Sequence, residues 1–351
     1  MFVGPTLLGL LVFAFAPRVP ALAAAKRDLP DWAFVMLVVA VDVAHVWSTL
    51  FRTYLDPEEL RRRTLLYVGT PAAILALGVL TYAAIGDRFW RLLAYIAVFH
   101  FVRQQAGWVA IFRAKSGPNT ALDTRLDSLA IYTAALAPLF VWHTDPTRPF
   151  AWFLADDFVF FERLAPLRPV ATAVLLGALA AFVIRQLVRA RAGLPVSRGK
   201  VLVVLATAVS WWVGIVLSED DLSFTALNVL PHGVPYIYLL LRYGQERAKE
   251  APALVGSRVI LLGLVPAVLL LVALGFGEEA LWDRLVWHDR EALFGWLPDV
   301  EGLPKLLLVP LLAVPQATHY ALDAILWRRG STSTAQGAAL GFGASTPADT
   351  R

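Results

Sequence analysis

The chain has 351 residues, of which 58% are hydrophobic and only 17% charged, with a mean hydropathy of +0.63. A soluble protein carries charge on about a quarter of its residues, and several runs here reach the ~20 apolar residues that cross a bilayer, so a multi-pass integral membrane protein is expected. The absence of cysteine excludes disulfides, thiolate metal ligands and a cysteine nucleophile, and the net charge of +4 does not point to nucleic acid, because cytoplasmic loops of membrane proteins are basic in any case.

Taken in chain order, the apolar runs predict helices at 2–16, 32–54, 64–86, 89–113, 125–143, 167–189, 200–217, 223–243, 257–276 and 304–327. The expected fold is all-α, a polytopic transmembrane bundle of about ten spans. The first run is short and lacks the basic n-region of a signal peptide, so it reads as a retained helix. In the eighth, Pro231 and Pro235 bracket His232 and Gly233, and each proline removes a backbone hydrogen bond, which predicts a loosened or kinked helix. Two stretches that mix aromatics with acids, 150–163 and 279–297, predict short helices lying on the outer surface. One integral domain over 1–329 and a disordered tail over 330–351, rich in Ser, Thr, Gly and Ala, complete the layout.

Arginine and lysine fall mainly in alternate loops, such as Arg61–Arg63, Arg189 to Lys200 and Arg242 to Arg258. The positive-inside rule then places both termini in the cytoplasm, in a membrane of the bacterial inner type. Under this topology the second, fourth, eighth and tenth helices all run inward. Each carries one buried-run histidine: His45, His100, His232 and His319. At 1.5 Å per residue the four fall in a slab roughly 10 Å deep. Ionisable groups at that depth are costly and normally face a protein interior. His143 and His288 fall at outer or interfacial positions and are expected to be solvated.

Spacing supplies each histidine with polar company, since residues three and four apart share a helix face. Asp42 precedes His45, with Ser48 or Thr49 a turn further on. His100 is followed by Arg103, Gln104 and Gly107. Asn228, His232 and Tyr236 form one stripe, and Gln316, His319, Tyr320 and Asp323 another. Neutral imidazole is a common ligand for iron, zinc and copper, and a ligating ring usually gives its second N–H to a carboxylate, amide or carbonyl. The expected centre is a non-haem iron held by His45, His100, His232 and His319. Asp42, Gln104, Asn228, Gln316 and Asp323 would support the ligands, and Arg103, Tyr236 and Tyr320 would take part in the chemistry, with Trp108 on the wall. Apolar surroundings imply a lipid-like substrate of isoprenoid, carotenoid or fatty-acyl type, oxidised by an oxygenase or hydroxylase, with an electron donor as a possible partner.

The Pro231-His232-Gly233 step and the spacing from His319 to Asp323 resemble short motifs of the Brp/Blh family of membrane carotenoid-cleaving dioxygenases. That resemblance implies an all-helical fold and an iron held by four histidines. The di-iron desaturases and hydroxylases are a poor comparison: their HxxxH and HxxHH boxes are absent, and the chain has six histidines against the roughly eight ligands they need. Two other functions fit the same residues. One is a haem protein of the membrane cytochrome kind, with paired axial histidines. The other is a transporter or proton relay that titrates Asp42, His45, His100 and Asp323.

Overall fold

The computed structural model describes residues 1–19, 29–147, 150, 152–154, 156–300, 302–327 and 334–342. Among them all regular structure is helical and there is no strand. In chain order the principal helices begin with α1 (Val3–Phe15), α2 (Asp31–Arg52), α3 (Pro57–Arg62), α4 (Thr64–Ile85), α5 (Arg88–Ala114), α6 (Ala121–His143) and α7 (Arg168–Arg191). They continue with α8 (Arg198–Leu217), α9 (Asp221–Glu250), α10 (Val255–Leu261), α11 (Leu264–Trp287), α12 (Lys305–Leu312), α13 (Val314–Leu326) and α14 (Thr334–Leu340).

Among the described residues seven helical stretches are long and apolar enough to cross a membrane: those of α2, α4, α6, α7, α8, α9 and α11. This suggests a membrane protein, with fewer such helices than the ten predicted. The shortfall has local causes. The α1 stretch is apolar but short. Helix α5 is long enough, yet Arg88, Arg91, Arg103, Gln104, Gln105 and Arg113 dilute its apolar character. The predicted tenth helix is divided at Ala313 into α12 and α13, because Pro315 in the first turn of α13 has no N–H to continue the ladder.

The chain forms two compact units. One comprises Met1–Pro30 and Trp90–His232, the other Asp31–Phe89 and Gly233–Arg351, so the boundary falls inside α9. In the first unit α6 packs along α7 and α8. Ala134 and Ala137 meet Leu175 and Ala208, small residues that let backbones approach, as helix association in lipid requires. The same unit holds an aromatic core that includes Phe101, Trp142, Phe150, Phe158, Trp211 and Phe224. Asp123 and Asp127, both fully buried, tie its helices: Arg185 and Arg189 reach Asp123 at 2.7 and 2.8 Å, and Lys200 reaches Asp127 at 2.9 Å. The predicted surface helix over 150–163 does not form among the described residues there; Phe150 and Phe158 instead enter the aromatic core.

In the second unit α11 lies along α2 so closely that a Cβ on Gly275 would stand 2.9 Å from the carbonyl oxygen of Val39. Helix α2 is π-helical over Phe34–Val43, a widened turn that often accompanies functional sites. Helix α11 runs on through Trp282 into a π-helical turn at Asp283–Trp287, followed by a helical turn at Glu291–Phe294. The acidic stretch expected to begin a surface helix at 279 is therefore partly the end of α11. The tail also departs from expectation. Helix α14 lies within it, with Gln336 fully buried and bonded to Arg52 at 2.9 Å; the tail's other residues, except Gly341 and Phe342, lie outside the described residues.

Candidate metal centre

In the second unit, α2 presents His45 and α13 presents His319. Both are buried, and their rings meet edge to face with centroids 4.8 Å apart. Nδ1 of His45 stands 3.6 Å from Asp42 Oδ1, one turn earlier on α2. Nδ1 of His319 lies 2.8 Å from the hydroxyl of Thr49. Tyr236 on α9 closes the group, its ring edge-on to both imidazoles at 5.9 and 5.1 Å. Its hydroxyl is 3.5 Å from Thr49 Oγ1 and hydrogen-bonds to Asp323. A carboxylate, a phenol and a hydroxyl are thus strung in series behind one imidazole.

Tyr320 turns from His319 toward a second polar group, bonding to Gln316 and facing Asp42 and Glu278. Glu278 is buried and accepts the indole N–H of Trp47 at 2.7 Å. Glu278 falls just beyond the end of the helix that the sequence predicts over 257–276. A signal was available: the apolar run containing it continues to Trp282, and an acid inside such a run needs a partner.

In the first unit His100 of α5 and His232 of α9 are buried, with ring centroids 5.2 Å apart and edge to face. Phe101 stacks flat on His232 at 3.5 Å. Helix α9 remains helical through its Pro-His-Gly-Val-Pro run. Pro235 has no N–H to offer the Pro231 carbonyl, and Gln105 supplies that bond from Nε2 at 3.3 Å. Its own Oε1 is 3.4 Å from the Thr207 hydroxyl. Asn228 is buried and donates to the Phe224 carbonyl at 2.7 Å. It fits there because Gly214 faces it, where a Cβ would come within 3.2 Å of its amide nitrogen.

Gln104 is buried one turn beyond His100, and neither atom of its amide has a hydrogen-bond partner among the described residues. Arg103 does not join this group. It is exposed and donates to the Tyr132 hydroxyl, which removes it from the chemistry assigned by spacing alone. Trp108 packs instead against Phe2 and Phe112, at 5.3 and 6.2 Å. His288 is exposed as expected and sits 3.1 Å from Asp299, whereas His143 is partly buried and bonds the Leu139 carbonyl at 2.8 Å.

Each unit thus brings two buried imidazoles together, His45 with His319 and His100 with His232. Nitrogen-only donors of this kind suit iron, zinc or copper, and the groups around Nδ1 of His45 and His319 are of the type that orients ligating rings. No family model, no curated protein and no solved structure matches the chain.

Proposed function

We propose that the chain is a membrane-embedded metalloenzyme in which His45, His100, His232 and His319 ligate one non-haem iron and a lipid-like molecule is oxidised. The observation that supports this most is the pairing of buried imidazoles within each unit, His45 with His319 and His100 with His232. A histidine that only glues helices needs one hydrogen-bond partner. It does not need a second imidazole at its edge, as both His45 and His100 have.

When bound, iron would supply the activation of dioxygen. The chain's own residues have separable tasks. Thr49 holds Nδ1 of His319, so Nε2 would be the ligating atom, while the Asp42 carboxyl stands 3.6 Å from Nδ1 of His45, outside hydrogen-bond length. Tyr236, backed by Asp323, has the hydroxyl suited to hold or pass a proton. Phe101 and its aromatic neighbours offer an apolar wall to substrate and exclude water. Hydroxylation would draw two electrons from a separate donor, whereas dioxygenation draws none. On the positive-inside rule both termini are read as cytoplasmic, in a bacterial-type inner membrane.

A proton-relay or transport role is the second reading. It is favoured by the carboxylates of Asp42, Glu278 and Asp323, which share one unit with His45 and His319. Metal analysis and an absorption spectrum of the purified protein separate the readings. Iron without a Soret band is expected; a Soret band would make this a haem protein, and protein free of metal would leave the relay.

A further inference from the structure

We infer that the ligand of the His100–His232 side of this site is a neutral lipid alcohol whose hydroxyl lies against Gln104. The inference rests on the proposed reading of the site as one that takes an apolar molecule, and names its polar end. Gln104 is 6% exposed, and both Nε2 and Oε1 lack partners among the described residues. Four residues separate it from His100 on α5, so the two share a face. A buried amide left unmet is costly enough that such groups nearly always have a partner. The other amides nearby are engaged: Gln105 by Pro231 and Thr207, Asn228 by Phe224.

What is missing at Gln104 defines the ligand. Nε2 needs an acceptor and Oε1 needs a donor. A hydroxyl provides both. A ketone or aldehyde provides only the acceptor, and an alkane neither. A carboxylate would set its charge against Oε1, and the basic side chains of this unit's helix interfaces are engaged elsewhere: Arg103 is turned outward to Tyr132, while Arg113, Arg185, Arg189 and Lys200 are all directed to Asp123 or Asp127. The apolar body has Phe101 and the aromatic core for company.

The test compares hexadecan-1-ol, hexadecane and hexadecanoate as ligands of the full chain as purified in detergent, with metal content measured on the same samples. The alcohol is expected to bind at least about tenfold more tightly than either of the others, and Gln104→Leu to reduce that advantage to about twofold or less. Equal binding of alcohol and alkane, tighter binding of the acid, or an alcohol preference that survives Gln104→Leu would overturn the inference and leave Gln104 to an internal water. The wild-type comparison decides alone if Gln104→Leu does not fold. Wild-type protein that retains metal but shows no alcohol preference would defeat this inference only, whereas metal-free wild-type protein would defeat the enzyme reading.

Discussion

The hydroxyl of Thr49 lies 2.8 Å from Nδ1 of His319, joining the last turn of α2 to the middle of α13. That contact fixes the rotation of the imidazole and the nitrogen it can offer to a metal. Thr49→Val keeps the shape and removes the hydrogen bond. Metal affinity is expected to fall roughly 10- to 100-fold, with helical content unchanged, and Thr49→Ser should restore most of it. Chelator competition measures both; equal affinity in Thr49→Val and wild type would mean the hydroxyl does not orient a ligand.

Acid should destabilise the second unit through the α3 region. Burial alone would raise Asp56, but its bonds to Arg247 and to the amides of Glu59 and Glu58 outweigh this and hold its carboxyl below the ordinary range. Burial would likewise raise Glu59, and Arg52, Tyr67 and Arg62 hold it down. Because both values are depressed in the folded state, their stabilisation is complete above the unfolded carboxylate range, about pH 4, and is lost as pH falls through the folded values. The thermal midpoint in detergent should therefore drop below about pH 4, and drop less steeply in the double variant Asp56→Asn, Glu59→Gln. A midpoint that rises on acidification would contradict this.

Gly275→Ala should destabilise the protein, although alanine is the better helix former by about 1 kcal/mol. The new Cβ would meet the Val39 carbonyl oxygen at 2.9 Å, and backbone yields less readily than a side chain. Overpacking of this kind costs about 1–3 kcal/mol, which matches or exceeds the propensity gain. The strained segment is the π-helical part of α2 that leads into His45. Reduced metal retention should accompany the lower unfolding midpoint; a midpoint above wild type would show that α2 can move away freely.

Arg52 is fully buried, 3.2 Å from Glu59, 2.9 Å from Gln336 of α14 and over the ring of Tyr243. Removing one partner of a buried pair costs about 3–5 kcal/mol. Arg52→Leu should lower stability by an amount of that order and expose α14 to limited proteolysis. Protease resistance of the tail equal to wild type would show that α14 is held by its apolar contacts alone.

The helical fold and the positions of most helices were legible in the apolar periodicity, as was the proximity of Asp42 to His45. What escaped has physical reasons. Residues advance by about 100° along a helix, so Arg103 lies about 60° to one side of His100 and Gln104 about 40° to the other; spacing alone could not show that the buried edge runs between them. The Pro231 carbonyl keeps a partner through Gln105, far away in sequence, which supplies the N–H that Pro235 lacks. Glu278 was hidden because its partner, the Trp47 indole, belongs to another helix. Thr49 was visible as a polar residue on the right face, but the ring it serves is on α13.

Iron content of the purified chain, compared with that of His45→Ala and His100→Ala, tests the central claim most directly. A single shared ion predicts one iron per wild-type chain and almost none in either variant, because each histidine belongs to the same ligand set. Wild-type protein without metal, or variants that each keep half of a larger complement, would contradict it.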